Sequence, residues 1–304
     1  MSIIYRVNMV KERMSYLEAQ KSCKMDPKYH MGQLKLLMSE VMFLSKVSKP
    51  GDLVVYVGAA PGYHTHKVAE MFPELEFELW DPRDYDILPR ENIKTHTGFF
   101  TDDDAREYAN RAKNTGIEIL FISDIRSADM GKVKREQDMG KKLELDVTVI
   151  GDDMKMQMEW CQIIQPRWAF LKFRLPYKKG KTEYLMGKRY MQTYSPISTE
   201  IRLLTNDYQT TKFYDNVKYD ERMAWFNCKV RFEPLDDHRW DEMMDEHKIK
   251  KSWDNYIAMY VLAYYLEKRD GKEPSDDRVY ELFADIISFH RKKYGKKYDH
   301  LYVV

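Results

Sequence analysis

Two groups of residues in this chain could do chemistry, and the first is a pair of glycines that follows an apolar run. Residues 53–57 lead into Gly58-Ala-Ala-Pro-Gly62, and residues with helical spacing come next. A glycine-rich turn between a buried strand and a helix lets backbone N–H groups approach a nucleotide-like ligand. Asp81 lies 23 residues after Gly58, close to the spacing of about 20 expected for a carboxylate that binds a ribose. This spacing predicts a site for an adenosine-type ligand.

The glycine spacing differs from the fingerprint of dinucleotide-binding proteins. Gly58 and Gly62 are separated by three residues, one of them a proline, whereas the fingerprint is G-x-G-x-x-G. A pyrophosphate requires that third glycine, but a smaller ligand such as S-adenosylmethionine does not. An ordinary tight turn between a strand and a helix, with no ligand, is the alternative that this motif alone leaves open.

The second group consists of charged residues, of which Lys172 is the most unusual. It lies in the apolar segment Ala169-Phe-Leu-Lys-Phe173, and burying an ammonium costs several kcal/mol unless the group is paired or neutral. The alternatives are a lysine that reaches solvent at a sheet edge and a structural ion pair. Lys35 and Glu200, each considered alone, are more typical of solvated surface charges.

The elements that must position these residues alternate between strands and helices. Strands are predicted at residues 53–57, 76–80, 97–100, 117–122, 168–171 and 200–204. Helices are predicted at residues 32–47, 65–72, 105–113 (with an N-cap in 101–104), 143–164, from 252 onward and at 276–294. Residues 84–95 and the basic segment 178–194 have no such pattern. The alternation predicts an α/β sandwich with a mostly parallel sheet.

Ligands in such folds bind outside the carboxyl ends of the strands. The residues at the predicted strand ends should therefore share one edge of the sheet: Gly58, Asp81, Asp124 and Lys172.

Charge in this chain is dense but balanced. The 304 residues include 50 Lys and Arg against 49 Asp and Glu, for a net charge of +1. A site for a polyanion must therefore come from local clustering of charge and not from a global field. Residues 178–194 provide one such cluster, because Lys and Arg alternate with Tyr there. A solvated loop is the alternative for this segment.

Other features are typical of a soluble intracellular protein. Cys23, Cys161 and Cys228 are far apart in sequence and predict neither a disulfide framework nor a zinc site, which favours a reducing compartment. The first residues lack the pattern of a signal peptide. No apolar run approaches the roughly 20 residues needed to cross a bilayer, so no membrane association is expected.

Five motifs occur in an order that resembles a known family: Gly32-Gln-Leu-Lys-Leu-Leu37, Tyr56-Val-Gly-Ala-Ala-Pro-Gly62, Ile122-Ser-Asp-Ile-Arg-Ser127, Leu171-Lys-Phe-Arg-Leu-Pro176 and Ser198-Thr-Glu-Ile-Arg-Leu-Leu204. Together they resemble the poxvirus cap-specific mRNA (nucleoside-2′-O-)-methyltransferases, which also serve as the small regulatory subunit of the viral poly(A) polymerase. The resemblance runs from about Tyr16 to the last predicted helix.

The resemblance implies a fold and a location. It implies a single Rossmann-like methyltransferase domain over residues 1–304, with an N-terminal segment (1–30) and a C-terminal helical region (250–304) packed on it. It also implies a cytoplasmic protein, in the host cytoplasm or a viral factory, and is compatible with packaging in the virion.

The family's catalytic Lys-Asp-Lys-Glu set falls on Lys35, Asp124, Lys172 and Glu200. By this resemblance Lys172 is the general base that takes the proton from a ribose 2′-hydroxyl. The oxygen then attacks the methyl group of S-adenosylmethionine and S-adenosylhomocysteine is released. A lysine must be neutral to act in this way; desolvation and the charge of Lys35 favour that state, and the two acids oppose it.

The resemblance also carries over the cofactor contacts. These are Gln33, Tyr56, Gly58, Gly62, His64, Asp81 and Arg83, with Phe99 or Phe100, Ile125 and Arg126 on the adenine side. His64 and His66 could otherwise indicate a metal. No third ligand occurs at a suitable spacing, so no metal site is predicted.

Capped mRNA is the substrate that the resemblance implies. The methylated guanine would lie between Tyr16 and Tyr177, since a cationic purine stacks well on aromatic rings, and Asp220 would accept hydrogen bonds from the guanine edge. The family's other acid falls on Lys179, which departs from the pattern. Arg174 and Ser198 would contact the transcript, and the basic segment would hold its phosphates.

Three functions are compared on this basis. The first is methylation of the ribose 2′-oxygen of the first transcribed nucleotide of capped mRNA. The second is a non-catalytic role as the processivity subunit of a viral poly(A) polymerase, although no stretch of sequence identifies a surface for that partner. The third, an NAD-dependent dehydrogenase, is disfavoured by the incomplete glycine fingerprint and by the charged set.

Overall fold

The computed structural model describes residues 10–15, 18–19, 31–127, 147–195 and 198–303. Tyr16 and Cys23, both singled out in the sequence, lie outside these ranges. So do residues 143–146, where the fourth helix was predicted to begin.

The bounds of the helices and strands are as follows. The helices are α1 (Gly32–Val47), α2 (Tyr63–Met71), α3 (Asp102–Thr115), α4 (Val147–Ile164), α5 (Asn216–Trp225), α6 (Asp241–Glu246), α7 (Trp253–Asp270) and α8 (Asp276–Tyr294). The strands are β1 (Leu53–Val57), β2 (Glu76–Asp81), β3 (Ile93–Thr97), β4 (Ile119–Ser123), β5 (Trp168–Phe173), β6 (Lys181–Leu185), β7 (Lys188–Tyr190), β8 (Ile201–Thr205) and β9 (Thr211–Asp215). A π-helical turn, Phe226–Val230, follows α5.

A seven-stranded sheet forms the centre of the fold, with strand order β3-β2-β1-β4-β5-β8-β7. Neighbouring strands from β3 to β5 are parallel, whereas β8 is antiparallel to both β5 and β7. Every residue of β1 and β4 is buried, which is why both strands are almost entirely apolar. The predicted α/β fold with a mostly parallel sheet is confirmed.

The register of the sheet brings the functional strand ends to one edge. Val57 at the end of β1 is paired with Trp80 and with Ser123, and Ser123 is paired with Leu171. The residues that come next in the chain are therefore level with one another, and they are Gly58, Asp81, Asp124 and Lys172. The predicted shared edge is confirmed.

The helices cover the sheet and one another. α1 buries twelve residues and packs on both α2 and α7, and α8 packs on α7. Side-chain caps mark four of the described helix starts: Thr101 forms a capping box with Asp104 ahead of α3, and Asp215, Ser252 and Ser275 cap α5, α7 and α8. The helix predicted at 276–294 has these bounds in the structure, and the N-cap predicted before α3 is confirmed.

Two regions differ from the sequence predictions. The strand predicted at 97–100 is wrong, because β3 occupies Ile93–Thr97 and begins within residues 84–95, which were predicted as loop. β3 is an edge strand whose residues are exposed or half-buried, so it lacks the apolar run on which the prediction relied. The basic segment also contains β6 and β7, and β6 forms a separate two-stranded sheet with β9.

Two of the sequence expectations concern the cysteines and membrane-spanning segments. Cys161 is buried and free, but Cys228 is disulfide-bonded, so the expectation of reduced cysteines is wrong at Cys228. Sequence separation does not show which thiols meet in a folded chain. Among the described helices, none combines the length and hydrophobicity that crossing a bilayer requires.

Candidate active site

The four charged residues of the predicted catalytic set form one buried cluster. Lys35 Nζ lies 2.5 Å from Glu200 Oε1, and Lys172 Nζ lies 3.3 Å from the other oxygen of the same carboxylate. Lys172 Nζ is also 3.1 Å from Asp124 Oδ1. Lys35, Lys172 and Glu200 are each at most 8% exposed. Residues separated by up to 165 positions in sequence therefore share one network of ion pairs.

Separate elements deliver these side chains to the sheet edge. Asp124 directly follows β4, Lys172 lies near the end of β5, and Glu200 directly precedes β8. Lys35 comes from α1, which is fixed on the sheet by stacking of Phe43 on Phe170, with ring centroids 4.9 Å apart. Lys35 precedes Phe43 by two helical turns, so it lies on the same face of α1 and reaches the cluster.

Arg202 is part of this cluster, and the sequence reasoning assigned it no role. Its Nη2 lies 2.7 Å from Asp124 Oδ1 and its Nη1 donates to the Ser123 carbonyl at 3.1 Å. Arg202 is paired in register with Lys172. The sequence did contain a signal: Glu200 and Arg202 are two positions apart at a strand, a spacing that places two side chains on one face.

Arg126 joins the cluster from the solvent side. Its Nη2 lies 3.2 Å from Glu200 Oε2, and its side chain is 45% exposed. The described cluster thus contains four basic side chains, those of Lys35, Lys172, Arg202 and Arg126, around the carboxylates of Asp124 and Glu200. When all six groups are ionised the cluster has an excess of positive charge.

This arrangement changes the proton affinities of its members. Burial would raise the pKa of Asp124, but the charges of Arg202 and Lys172 outweigh it and lower the pKa to about 2. Burial opposes ionisation of Glu200 as well, yet Lys172 and Lys35 hold its pKa well below the usual range. Burial lowers the pKa of Lys35, although Glu200 and Asp124 act in the opposite direction. Both carboxylates are therefore ionised at neutral pH.

The glycine turn lies against the loop that carries Asp124. Gly58 has φ of +82°, and a Cβ atom there would lie 2.7 Å from the Asp124 carbonyl carbon and 2.8 Å from the Ile125 nitrogen. Only glycine permits both this φ and this approach. Gly62, with φ of +72°, is the N-cap of α2. Gly58 therefore lets the turn after β1 pack against the backbone of Asp124 and Ile125, beside the charged cluster.

Asp81 is held by four hydrogen bonds. Its Oδ2 accepts from the Ala60 N–H at 3.0 Å and from Arg83 Nη2 at 2.9 Å. Its Oδ1 accepts from the Arg83 N–H at 3.0 Å and from Arg83 Nε at 2.9 Å. These four bonds occupy the lone pairs of the carboxylate. A ribose could therefore bind Asp81 only by displacing the Arg83 side chain, which is 67% exposed.

Tyr56, Phe99 and Phe100 differ in accessibility. Tyr56 is 1% exposed, and burial, together with the Glu40 carboxylate beside its hydroxyl, raises its pKa well above the usual value. Phe99 is 79% exposed, whereas Phe100 is 7% exposed and packs edge-on against Trp80. Of the two phenylalanines considered for the adenine side, only Phe99 is open to a ligand. Ile125 is partly buried against the core.

His64 and Gln33 contact each other, but they differ in their access to the site. His64 is completely buried, with its ring nitrogens 2.9 Å from Gln33 Oε1 and 2.8 Å from Glu40 Oε1. Gln33 is partly exposed. The structure therefore places Gln33 at the rim and His64 behind it. Glu40, which the sequence reasoning missed, is 2% exposed.

Of the residues predicted to bind the cap, Arg174, Tyr177 and Asp220 lie close to one another, and Tyr16 lies outside the described ranges. Tyr177 is 40% exposed, the Arg174 guanidinium lies 4.8 Å from its ring centroid, and its hydroxyl accepts from Thr199 Oγ1 at 3.1 Å. Burial raises the pKa of Asp220, which Arg174 opposes, and Asp220 Oδ1 is buried with no hydrogen-bond partner among the described residues. Tyr177 and Asp220 thus offer a ring face and a free acceptor.

Ser198 has a positioning role in this region. Its Oγ accepts from the Glu200 N–H at 3.0 Å, and its carbonyl accepts from Asn227 Nδ2 at 3.0 Å.

A set of exposed lysines lies on and before the β6–β7 segment: Lys178, Lys179, Lys181 and Lys188. Arg189 is different, since its guanidinium lies 5.0 Å from the Tyr214 ring centroid. Within the described part of the chain no group of three His, Cys, Asp or Glu residues is arranged to bind a metal.

Comparisons with known proteins agree with the resemblance found in the sequence. The family model of the poly A polymerase regulatory subunit matches residues 3–289. The chain is 27% identical over 223 residues to the cap-specific mRNA (nucleoside-2′-O-)-methyltransferase of Myxoma virus (strain Lausanne), a match that covers 66% of this chain and 62% of the relative. It is 28% identical over 221 residues to the protein of the same name from Fowlpox virus (strain NVSL), covering 66% of this chain and 68% of that relative. Since the family model spans nearly the whole sequence, the chain belongs to the poly A polymerase regulatory subunit family.

Proposed function

We propose that this chain is an S-adenosylmethionine-dependent methyltransferase that methylates the ribose 2′-oxygen of the first transcribed nucleotide of capped mRNA. The observation that carries the proposal is the buried cluster in which Lys172 Nζ lies 3.1 Å from Asp124 and 3.3 Å from Glu200, directly beside the glycine turn. The names of the two viral relatives support the same activity.

The residues around the glycine turn fit S-adenosylmethionine. The exposed ring of Phe99 is suited to stack on an adenine at the sheet edge that carries the glycine turn. Asp81 is the candidate for the ribose once Arg83 releases it, and Gln33 is the candidate for the tail. When bound, this cofactor supplies an electrophilic methyl group.

Lys172 is the proposed general base. A neutral amine at Nζ accepts the proton of the ribose 2′-hydroxyl as that oxygen becomes a nucleophile, a role worth about 10²–10⁴-fold in rate. Asp124 and Glu200 orient the amine, and Arg202 keeps Asp124 ionised and in place.

Capped mRNA is the proposed substrate, and two surfaces support it. The exposed Tyr177 ring can stack on a cationic guanine, and the free Asp220 oxygen can accept its N–H groups. The exposed lysines at 178, 179, 181 and 188 can contact phosphates, so affinity for RNA should fall as salt rises. Tyr16 stays the prediction for the second stacking ring.

The test is methyl transfer from labelled S-adenosylmethionine to RNA with a methylated cap, followed by nuclease digestion to locate the label. We expect the label on the ribose of the first nucleotide, and little transfer to the same RNA with a triphosphate end. Label on a base, or no transfer to any capped RNA while S-adenosylhomocysteine still binds, would refute the proposal.

A role as regulatory subunit of a viral poly(A) polymerase is the second candidate, and the family match over residues 3–289 favours it. Co-purification with a polymerase catalytic subunit and longer tails on its addition would support this role. The two functions are compatible in one protein. A single domain over 1–304 and a cytoplasmic location are proposed with them.

A further inference from the structure

A buried histidine links two helices directly behind the glycine turn. His64 on α2 is 0% exposed, with Nδ1 2.9 Å from Gln33 Oε1 and Nε2 2.8 Å from Glu40 Oε1. Both partners come from α1. The ring therefore has a fixed position, since each of its nitrogens is held by an oxygen of the neighbouring helix.

These contacts fix the orientation of the Gln33 amide. Gln33 Oε1 accepts a hydrogen bond from the His64 backbone N–H at 3.1 Å. An oxygen at this position requires His64 Nδ1 to carry a proton and donate to it as well. The amide nitrogen of Gln33 is then directed away from His64, and it forms no hydrogen bond with any residue in the described ranges. Gln33 thus offers N–H donors at the rim of the site.

Glu40 holds the other side of the ring. Its carboxylate is 2% exposed, and it faces His64 Nε2 either as the partner of an imidazolium or as an acid that donates to a neutral ring. In both states Nδ1 keeps its proton, so the orientation of Gln33 is the same. Burial of a polar pair of this kind is costly unless the hydrogen bonds are complete, which makes a purely accidental arrangement a poor explanation.

We propose that His64, supported by Glu40, is a positioning residue that aims the Gln33 amide donors at the carboxylate of the amino-acid tail of the cofactor. The proposal rests on the proposed function, because it takes Gln33 as a cofactor contact. His64 is completely buried, so the proposal has it act through Gln33 and not through the direct cofactor contact that the resemblance implies. Replacement of His64 should therefore weaken the binding only of ligands that have the tail. If His64 had a merely structural role, its replacement would weaken the binding of ligands with and without the tail alike.

The experiment compares two ligands by calorimetry: S-adenosylhomocysteine, which has the tail, and 5′-methylthioadenosine, which lacks it. Two variants form a matched pair. In His64→Asn the amide nitrogen can replace Nδ1 as the donor to Gln33, whereas in His64→Gln the longer amide reaches towards Glu40 and not towards Gln33. A double variant, His64→Gln with Gln33→Ala, shows whether His64 acts through Gln33.

We expect His64→Gln to weaken S-adenosylhomocysteine binding about tenfold, the effect of a lost hydrogen bond to a charged group, with methylthioadenosine binding unchanged. His64→Asn should bind both ligands nearly as the wild type does. The double variant should bind S-adenosylhomocysteine no more weakly than Gln33→Ala alone.

Parallel losses for both ligands, equal weakening by the two His64 variants, or multiplied effects in the double variant would each overturn the proposal. If His64→Gln does not fold, as judged by its thermal unfolding, Gln33→Ala is compared with the His64→Asn/Gln33→Ala variant. The proposal is supported if the two variants have the same ratio of affinities for S-adenosylhomocysteine and methylthioadenosine. A lower preference for S-adenosylhomocysteine in the double variant overturns it. A wild-type protein that binds neither ligand would refute the proposed function instead.

Discussion

Arg202 and Asp124 form a buried ion pair at the centre of the site, with Nη2 of the arginine 2.7 Å from Oδ1 of the carboxylate. The arginine side chain is 2% exposed and the aspartate side chain 15%. The planar guanidinium donates to Asp124 through Nη2 and to the Ser123 carbonyl through Nη1, so two nitrogens in a rigid fork fix its orientation. This pair ties β8 to the end of β4 across β5, the strand between them, and so sets the position of Asp124 relative to Lys172.

Removal of Arg202 should destabilise the protein strongly. We expect Arg202→Met to lower the free energy of unfolding by about 3–5 kcal/mol, because it leaves a buried carboxylate without its main partner. Arg126→Met is the control: that arginine pairs with Glu200 but is 45% exposed, so the loss should be within about 1 kcal/mol. Urea unfolding measures both, and equal losses would contradict the account.

Gly58 should be more sensitive to substitution than a glycine with the same backbone conformation elsewhere. Gly51 has φ of +84° with no atom within 4 Å of a Cβ, whereas a Cβ at Gly58, with φ of +82°, would lie 2.7 Å from the backbone of Asp124. Both alanine variants carry the backbone strain of about 1–2 kcal/mol, but only Gly58→Ala adds overpacking of about 1–3 kcal/mol.

Unfolding and ligand binding together test this prediction. Gly51→Ala should bind S-adenosylhomocysteine as the wild type does, and Gly58→Ala should lose binding along with stability. A Gly58→Ala protein that is as stable as Gly51→Ala and binds the ligand normally would show that the turn does not approach Asp124 as described.

The stability of the protein should fall in acid through Asp124. The pKa of this carboxyl is lowered from 3.8 to about 2, so its contribution is complete above the unfolded value and is lost as pH falls from about 4 to about 2. The loss should be about 2 kcal/mol. Unfolding free energies of wild type and Asp124→Asn at pH 5 and pH 3 capture about half of this loss, about 1 kcal/mol: the wild type should lose more than the variant by this amount, and parallel curves would contradict the prediction.

Tyr177 should recognise the charge of the methylated guanine. We expect Tyr177→Ala to weaken binding of a methylated cap analogue about tenfold, the magnitude of a partly desolvated cation–π contact. The unmethylated analogue should be affected less. Tyr177→Phe is the matched control, since it keeps the ring and loses only the hydroxyl that accepts from Thr199. Fluorescence titration distinguishes these outcomes, and an alanine variant that binds like the wild type would exclude Tyr177 from the cap site.

The sequence predicted the buried part of the fold well for a physical reason. β1, β4 and β5 are buried, mostly apolar strands, so their hydrophobic runs identify them without knowledge of the sheet. The residues that follow parallel strands must meet at one edge, which is how Asp124 and Lys172 could be placed together before the structure was known.

What the sequence did not predict depends on contacts between distant segments. Arg202 becomes significant only when β8 is placed antiparallel to β5 with Arg202 opposite Lys172. The burial of His64 depends on α2 packing against α1, which spacing along one helix cannot show. β3 has no apolar face to detect. Contacts with the cofactor and RNA stay predictions.

The most direct test of the central claim is the rate of 2′-O-methyl transfer to capped RNA by Lys172→Ala at saturating S-adenosylmethionine. The control is Lys155→Ala, which removes a lysine whose side chain is 68% exposed. The account predicts a rate at least about 100-fold below wild type for Lys172→Ala, with S-adenosylhomocysteine binding retained, and a normal rate for the control. A Lys172→Ala protein that binds ligand and methylates RNA at the wild-type rate would contradict it.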